Sequence, residues 1–190
     1  MKRPASRAKN GLAPRHIWAL GGLTVLSVVV AASCDSQGSR QGYEPAQPIA
    51  YSHALHAGER QIDCQYCHFG AETSRHAGVL PASVCMNCHN QVLKDSPEVK
   101  KIAQAVDSGK PIEWVKVHRL ADFVYFNHSR HVTAGVTCQT CHGPVETMVR
   151  VRQVETMSMG WCLNCHRNPS AQVPGGDALS PPSDCAACHQ

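Results

Sequence analysis

Aromatic residues are scarce in this 190-residue chain: three Trp, four Tyr and three Phe make up 5% of it. Beyond residue 33 it also lacks long apolar runs. Together these shortages exclude an ordinary side-chain core over most of the length. The formal charge of +4 and pI near 8.5 come without any nucleic-acid-binding motif, so nucleic acid is not expected as a partner. What the chain has in quantity is cysteine and histidine, eleven of one and twelve of the other.

The cysteines follow one rule. Cys-x-x-Cys-His occurs five times, as Cys64, Cys67 and His68; Cys85, Cys88 and His89; Cys138, Cys141 and His142; Cys162, Cys165 and His166; and Cys185, Cys188 and His189. In this pentapeptide two thiols form thioethers to a porphyrin and the adjoining histidine ligates its iron. Structural zinc would group the cysteines in tetrahedral sets of four and has no use for a histidine after every pair. Five haem c groups are therefore expected, with the ten cysteines as attachment points and the five histidines as proximal ligands. Their flat apolar surfaces would form the core. The expected fold is a class III-like multihaem cytochrome c, with short α-helices at the attachment sites and coil wrapped around five haems. Each haem adds two propionates, which makes Lys116, Arg119, Arg130, Arg150, Arg152 and Arg167 propionate partners and surface charges.

A low-spin haem that carries electrons needs a second strong axial ligand. The pool is His53, His56, His76, His118, His128 and His131, with Met148 and Met159 near the fourth site. Two stretches stand out, YSHALHAGERQIDCQYCH at 51–68 and FNHSRHVTAGVTCQTCH at 126–142. Each runs aromatic, small polar, His-x-x-His, then the attachment motif. A further motif follows each one, with asparagine before its second cysteine (Asn87, Asn164). The pattern reads as two dihaem modules, 51–89 and 126–166, and a terminal haem at 185–189, all within a pentahaem domain at 51–190. One histidine of each pair is expected to serve its own module's first haem and the other to reach a neighbour. A thioether ligand from Met148 or Met159 would raise the potential of the fourth haem, and porphyrin packing is the other use for these side chains.

Residues 1–34 carry Lys2, Arg3, Arg7, Lys9 and Arg15, then an apolar stretch from Ile17 to Ala32, then Ser33-Cys34. This is an export signal or membrane-anchor segment. Its sixteen positions rise about 24 Å as a helix, against a hydrocarbon core of roughly 30 Å. Cys34 leaves three outcomes open: a lipid anchor, an uncleaved helix, or secretion. In each, the later residues lie on the periplasmic side, which covalent haem attachment requires. Residues 35–50 are polar with Gly and Pro and read as a flexible tether reaching about 20 Å.

Between the modules, Ser96 and Pro97 mark a helix start, Val99, Ile102, Ala103 and Val106 fall at helical spacing, and Gly109 marks the end. The stretch IEWVKVHRLADFVYF at 112–126 fits either an extended or a helical reading. A Pro- and Gly-rich linker at 173–184 places the last haem on a loop.

Nearly all of residues 43–190 resembles the pentahaem cytochrome c subunit of alternative complex III, a membrane quinol:electron-acceptor oxidoreductase related to class III multihaem cytochromes. The resemblance rests on QPIAYSHALHAG, IDCQYCH, VCMNCH, WVKVHRLADFVYFNHSRHVTAGVTCQTCHGPVETM and MSMGWCLNCHR. It implies a subunit on the outer face of the cytoplasmic membrane, held there by an N-terminal helix or lipid. Electrons would come from an iron–sulfur subunit and leave towards a monohaem cytochrome or a terminal oxidase. It also implies mostly bis-histidine haems with one His/Met haem, and no substrate site in this chain. The alternatives are a stand-alone periplasmic class III-type carrier and a multihaem oxyanion reductase, which would need an iron left open for substrate.

Overall fold

A computed structural model describes residues 40–189, all of which fall in one unit spanning Ser39–Gln190. The apolar stretch at Ile17–Ala32, Cys34 and the start of the tether lie outside the described residues. Among those described, no helix is long and apolar enough to cross a membrane.

Among the described residues, six short α-helices carry most of the regular structure: α1 (Cys64–Cys67), α2 (Ala82–His89), α3 (Pro97–Ser108), α4 (His128–Thr133), α5 (Cys138–His142) and α6 (Met159–Arg167). A π-helical turn at Ala54–Glu59 and one-turn 3-10 segments at Val145–Thr147, Pro169–Ala171, Gly176–Ala178 and Cys185–Ala187 complete the set. The described residues form no named strand, only one antiparallel bridge between Val124 and His189. Four of the five attachment motifs lie on α-helices and the fifth on a 3-10 turn, as the class III-like reading expects.

Few side chains are buried. Ile49, Val99, Ile102, Met148 and Val173 are the buried apolar residues among those described. Burying one such side chain stabilises by about 2 kcal/mol, roughly what ordering one or two residues of backbone costs. Five of them cannot hold a chain of this length. Large apolar side chains lie open beside the motifs, among them Phe69 at 63% and Phe123 at 65% exposure. A flat apolar group at each motif is what such surfaces fit.

Helix α3 shows the local logic most plainly. Ser96 Oγ accepts from Val99 N at 3.2 Å, proline occupies the first turn, and Gly109 closes the helix at φ +65°. Its buried face presents Val99 and Ile102, and α3 packs on α2.

One expectation needs correction here. Residues 40–50 are bonded to the rest of the unit and do not form a free tether. Gly42 N donates to Gln153 O at 2.7 Å and Gln153 N to Tyr43 O at 3.1 Å. The Gln47 amide makes both a donor and an acceptor bond to the backbone of Val115, at 3.0 and 2.9 Å. Ala50 N donates to Glu98 at 2.9 Å. Side-chain amides and backbone groups meet partners far along the chain, so polar composition here reflects bonding and not solvation. The linker at 173–184 is coil with one 3-10 turn, and Val173 and Gly176 within it are buried. The last cysteine pair starts a capped 3-10 turn, with Asp184 Oδ1 accepting from Ala187 N at 3.1 Å. The stretch at 112–126 contains no helix and is braced in part by Gln47.

Candidate haem-binding sites

One helical turn puts residues three and four apart on a common face, so each short helix presents its two cysteines and histidine together. Two of the starts are held by side chains: Asp63 accepts from Gln65 N at 2.7 Å before α1, and Ser158 accepts from Trp161 N at 3.2 Å before α6. None of the ten motif cysteines is taken up in a disulfide, which leaves each available for a thioether. Cys64, Cys88, Cys138 and Cys185 are exposed, and Cys67, Cys85, Cys141, Cys162, Cys165 and Cys188 are half-buried. In the second motif, therefore, Cys85 is turned partly inward while Cys88 lies open near the end of α2, where its carbonyl accepts from Val92 N at 2.9 Å. An open thiol on a helix of this kind is within reach of a flat group laid against it. Burial, followed by the nearby thiols of the next motif, pushes Cys141 up to about 11, so it stays protonated. The described residues bring together no group of three or more His, Cys, Asp or Glu side chains of the kind a zinc ion needs.

Three of the motif histidines are oriented from behind. The Nδ1 of His68 meets Gly78 O at 2.6 Å, that of His89 meets Val92 O at 2.9 Å, and that of His166 meets Pro182 O at 2.5 Å. A backbone carbonyl can only accept, which assigns the proton to Nδ1 and leaves the Nε2 lone pair for a metal. His56, His131 and His128 are held the same way, at 2.8 Å from Ser52 O, Asn127 O and Arg75 O respectively.

The two His-x-x-His stretches share one geometry. Tyr51 stacks on His56 at 4.3 Å and stands edge-on to His53 at 4.9 Å; Phe126 lies over His131 at 4.5 Å and edge-on to His128 at 4.9 Å. The second histidine of each then faces the later motif. Ring centroids are 6.2 Å apart for His56 and His89, and 6.1 Å for His131 and His166. His128 and His142 stand 6.4 Å apart and nearly parallel. Two imidazoles on opposite sides of one metal, each nitrogen about 2 Å from it, have centroids about 6 Å apart. The three pairs therefore have room for an iron between them.

Burial favours the neutral form, the one that ligates, in His142, His53 and His118. His142 is lowered to about 3, first by burial and then by His118, His128 and His68. His53 is lowered to about 4, first by burial and then by His68 and His56, which places it beside the first motif. His118 is lowered by burial alone. Two of these rings have an unpaired buried nitrogen, Nδ1 of His53 and Nε2 of His118. A metal would satisfy the second directly.

The remaining sequence-derived candidates are placed less consistently. The His118 ring lies only 4.3 Å from that of His142, edge-on, which is too close for both to face one iron from opposite sides. His76 is exposed and has no ring contact among the described residues. Met148 is buried, with its carbonyl accepting from Ala54 N at 2.9 Å, whereas Met159 is 67% exposed at the start of α6. His189 has no imidazole partner among the described residues; Phe123 stacks on it at 5.6 Å. The carbonyls behind the histidines left no mark in the sequence, because a backbone acceptor has no residue signature.

Neighbouring thiols give the order of the motifs. Cys67 is pushed up by burial and then by Cys85 and Cys64. Cys138 is pushed up by burial and then by Cys64. Cys141 is raised in turn by Cys165 and Cys162, and Cys162 by Cys188. The second, first, third, fourth and fifth motifs thus follow one another as neighbours.

Residues 124–190 match the family of cytochrome c7 and related cytochrome c. The chain is also 28% identical over 165 residues to the multiheme cytochrome c subunit of menaquinone reductase from Nitratidesulfovibrio vulgaris, covering 76% of this chain and 77% of that one. Its helix-borne CxxCH motifs, short helices and coil give the chain a class III-like multihaem cytochrome c fold.

Proposed function

We propose that the chain carries five haem c groups, one at each motif, and works as the electron-transfer subunit of a quinone-linked respiratory complex on the outer face of the cytoplasmic membrane. The complex is of the alternative complex III type, in which this subunit receives electrons from an iron–sulfur subunit and gives them to a monohaem cytochrome or terminal oxidase. The observation that carries the reading is the three histidine pairs at 6.1–6.4 Å. The relative's place in a menaquinone reductase supports membership of a quinone-linked complex. Anchoring falls to the N-terminal segment, through its apolar stretch or a lipid on Cys34.

When bound, each haem supplies an iron that alternates between ferrous and ferric. The chain's own residues space and tune these irons. His53 and His68 hold the first, His56 and His89 the second, His128 and His142 the third, and His131 and His166 the fourth. His189 holds the fifth. A sulfur-to-iron band in the near infrared of the oxidised protein would instead give a sixth position to Met148 or Met159. Bonds from Nδ1 to backbone carbonyls fix ring orientation, raise ligand basicity and hold each potential down. Such a chain needs no substrate site.

The test is purification from membranes under mild detergent. Co-purification with large membrane subunits and reduction of all haems by a menaquinol analogue is the expected result. A wholly soluble, self-sufficient protein would make it a stand-alone carrier. Rapid, stoichiometric binding of carbon monoxide or nitrite to one haem would make it an oxyanion reductase.

A further inference from the structure

Arg75 sits on the loop between the first two motifs, outside both His-x-x-His stretches and outside the six cations that the sequence offers as propionate partners. Its guanidinium carbon lies 3.9 Å from the centroid of the Tyr125 ring. Its Nε is buried without a hydrogen-bond partner, and among the described residues it joins no ion pair. Leaving a desolvated, charged N–H without an acceptor costs more than stacking on a half-exposed tyrosine returns. A carboxylate in the plane of the guanidinium fork would remove that imbalance, and it is the partner this planar group binds best.

Two proposed haem sites converge on this point. On one side the Arg75 carbonyl accepts from both the ring and the backbone of His128, at 2.8 and 3.3 Å, and Ser74 O accepts from Ser129 N at 3.1 Å. On the other, Tyr125 N donates to Cys188 O at 2.7 Å, Val124 pairs with His189, and Phe123 stacks on His189. The guanidinium therefore stands between the third and the terminal attachment sites.

We propose that Arg75, braced on Tyr125, holds a haem propionate belonging to the haem at Cys138–His142 or to the one at Cys185–His189. This rests on the haem-carrying function proposed above. Arg75 is a positioning residue whose fixed charge offsets the propionate and so raises the potential of that one haem.

The test compares Arg75→Gln and Arg75→Lys with the unaltered protein, each first shown by pyridine haemochrome to carry its full haem complement. Haem-methyl resonances followed through partial oxidation give one midpoint potential per haem. Arg75→Gln is expected to lower one midpoint by about 59 mV, a tenfold change in a one-electron equilibrium. Arg75→Lys, which keeps the charge, is expected to lower it by less. Assignment of the moved resonances to the third or the terminal haem identifies the propionate. Unmoved midpoints in Arg75→Gln overturn the proposal, and so does an equal fall in both variants, which would mark a structural effect. Should Arg75→Gln fail to mature, Tyr125→Leu removes the brace and keeps the charge: a smaller fall at the same haem is expected, and no movement overturns the idea. Absence of haem from the unaltered protein would strike at the proposed function, whereas unmoved potentials in a loaded variant strike at Arg75 alone.

Discussion

The stretches at 51–56 and 126–131 are built alike and set differently. In both, an aromatic ring stacks on the second histidine, whose Nδ1 bonds to the carbonyl four residues earlier at 2.8 Å. The first histidines differ. His128 finds an acceptor in Arg75, a residue of the earlier module, while His53 has a buried Nδ1 with no partner. The second stretch is thus docked on the first module through backbone bonds at Ser74 and Arg75, and the first is braced from the other direction, by the turn at Val145–Thr147. Local geometry follows from the repeated sequence, but each histidine's surroundings depend on what the rest of the chain brings to it.

The largest effect that would break this likeness comes from the second histidines. His56→Ala and His131→Ala are each expected to turn one low-spin haem high-spin, at the motifs of His89 and His166 respectively, leaving the haem of His142 low-spin. Electron paramagnetic resonance of the oxidised proteins checks this, and loss of the His142 signal in His131→Ala would undo the pairing.

The glycines after the pairs should differ next. A Cβ at Gly58 would run into the backbone carbonyl of Glu146, so Gly58→Ala is expected to cost about 1–3 kcal/mol, the usual range for overpacking. Gly135 has φ +82° and open space around it, so alanine there costs only the strain of that backbone conformation, about 1 kcal/mol. Thermal or denaturant unfolding of the two variants should rank them in that order; equal losses would deny the packing of 145–147 on the first turn.

The smallest effect is pH-dependent. Glu98 is held below the usual carboxylate range, first by its bond from Lys101 and then by that from Ala50 N. A lowered folded-state value means its stabilisation is present above the ordinary carboxylate range and fades as pH falls through the folded value. Because the carboxylate is exposed, the loss should be slight and screened by salt. Glu98→Gln should flatten the acid limb of the stability curve, and an unchanged limb would show that the 40–50 segment is held without it.

The attachment motifs, the paired histidines and helix α3 were legible in the sequence because each rests on local spacing or a local cap. Ser96, Pro97 and Gly109 announce α3 without help from any distant residue. Spacing alone does not say which thiol of a pair is open, as Cys88 is, and which is turned inward, as Cys85 is. Residues 40–50 were not legible, since their bonds run to Val115, Glu98 and Gln153, and composition alone cannot separate a solvated Gln47 from one bonded to a backbone. The stretch at 112–126 left the choice open for the same reason. Arg75 was missed because it lies on a loop with no repeat around it; its stacking on Tyr125 exists only in the folded chain.

The most direct measurement is a pyridine haemochrome assay on weighed protein, paired with magnetic circular dichroism of the oxidised form. Five haems per chain are expected, with at least four of them bis-histidine. Fewer than five, or fewer than three bis-histidine haems, would contradict the histidine pairs at 6.1–6.4 Å as the ligands of a five-haem wire.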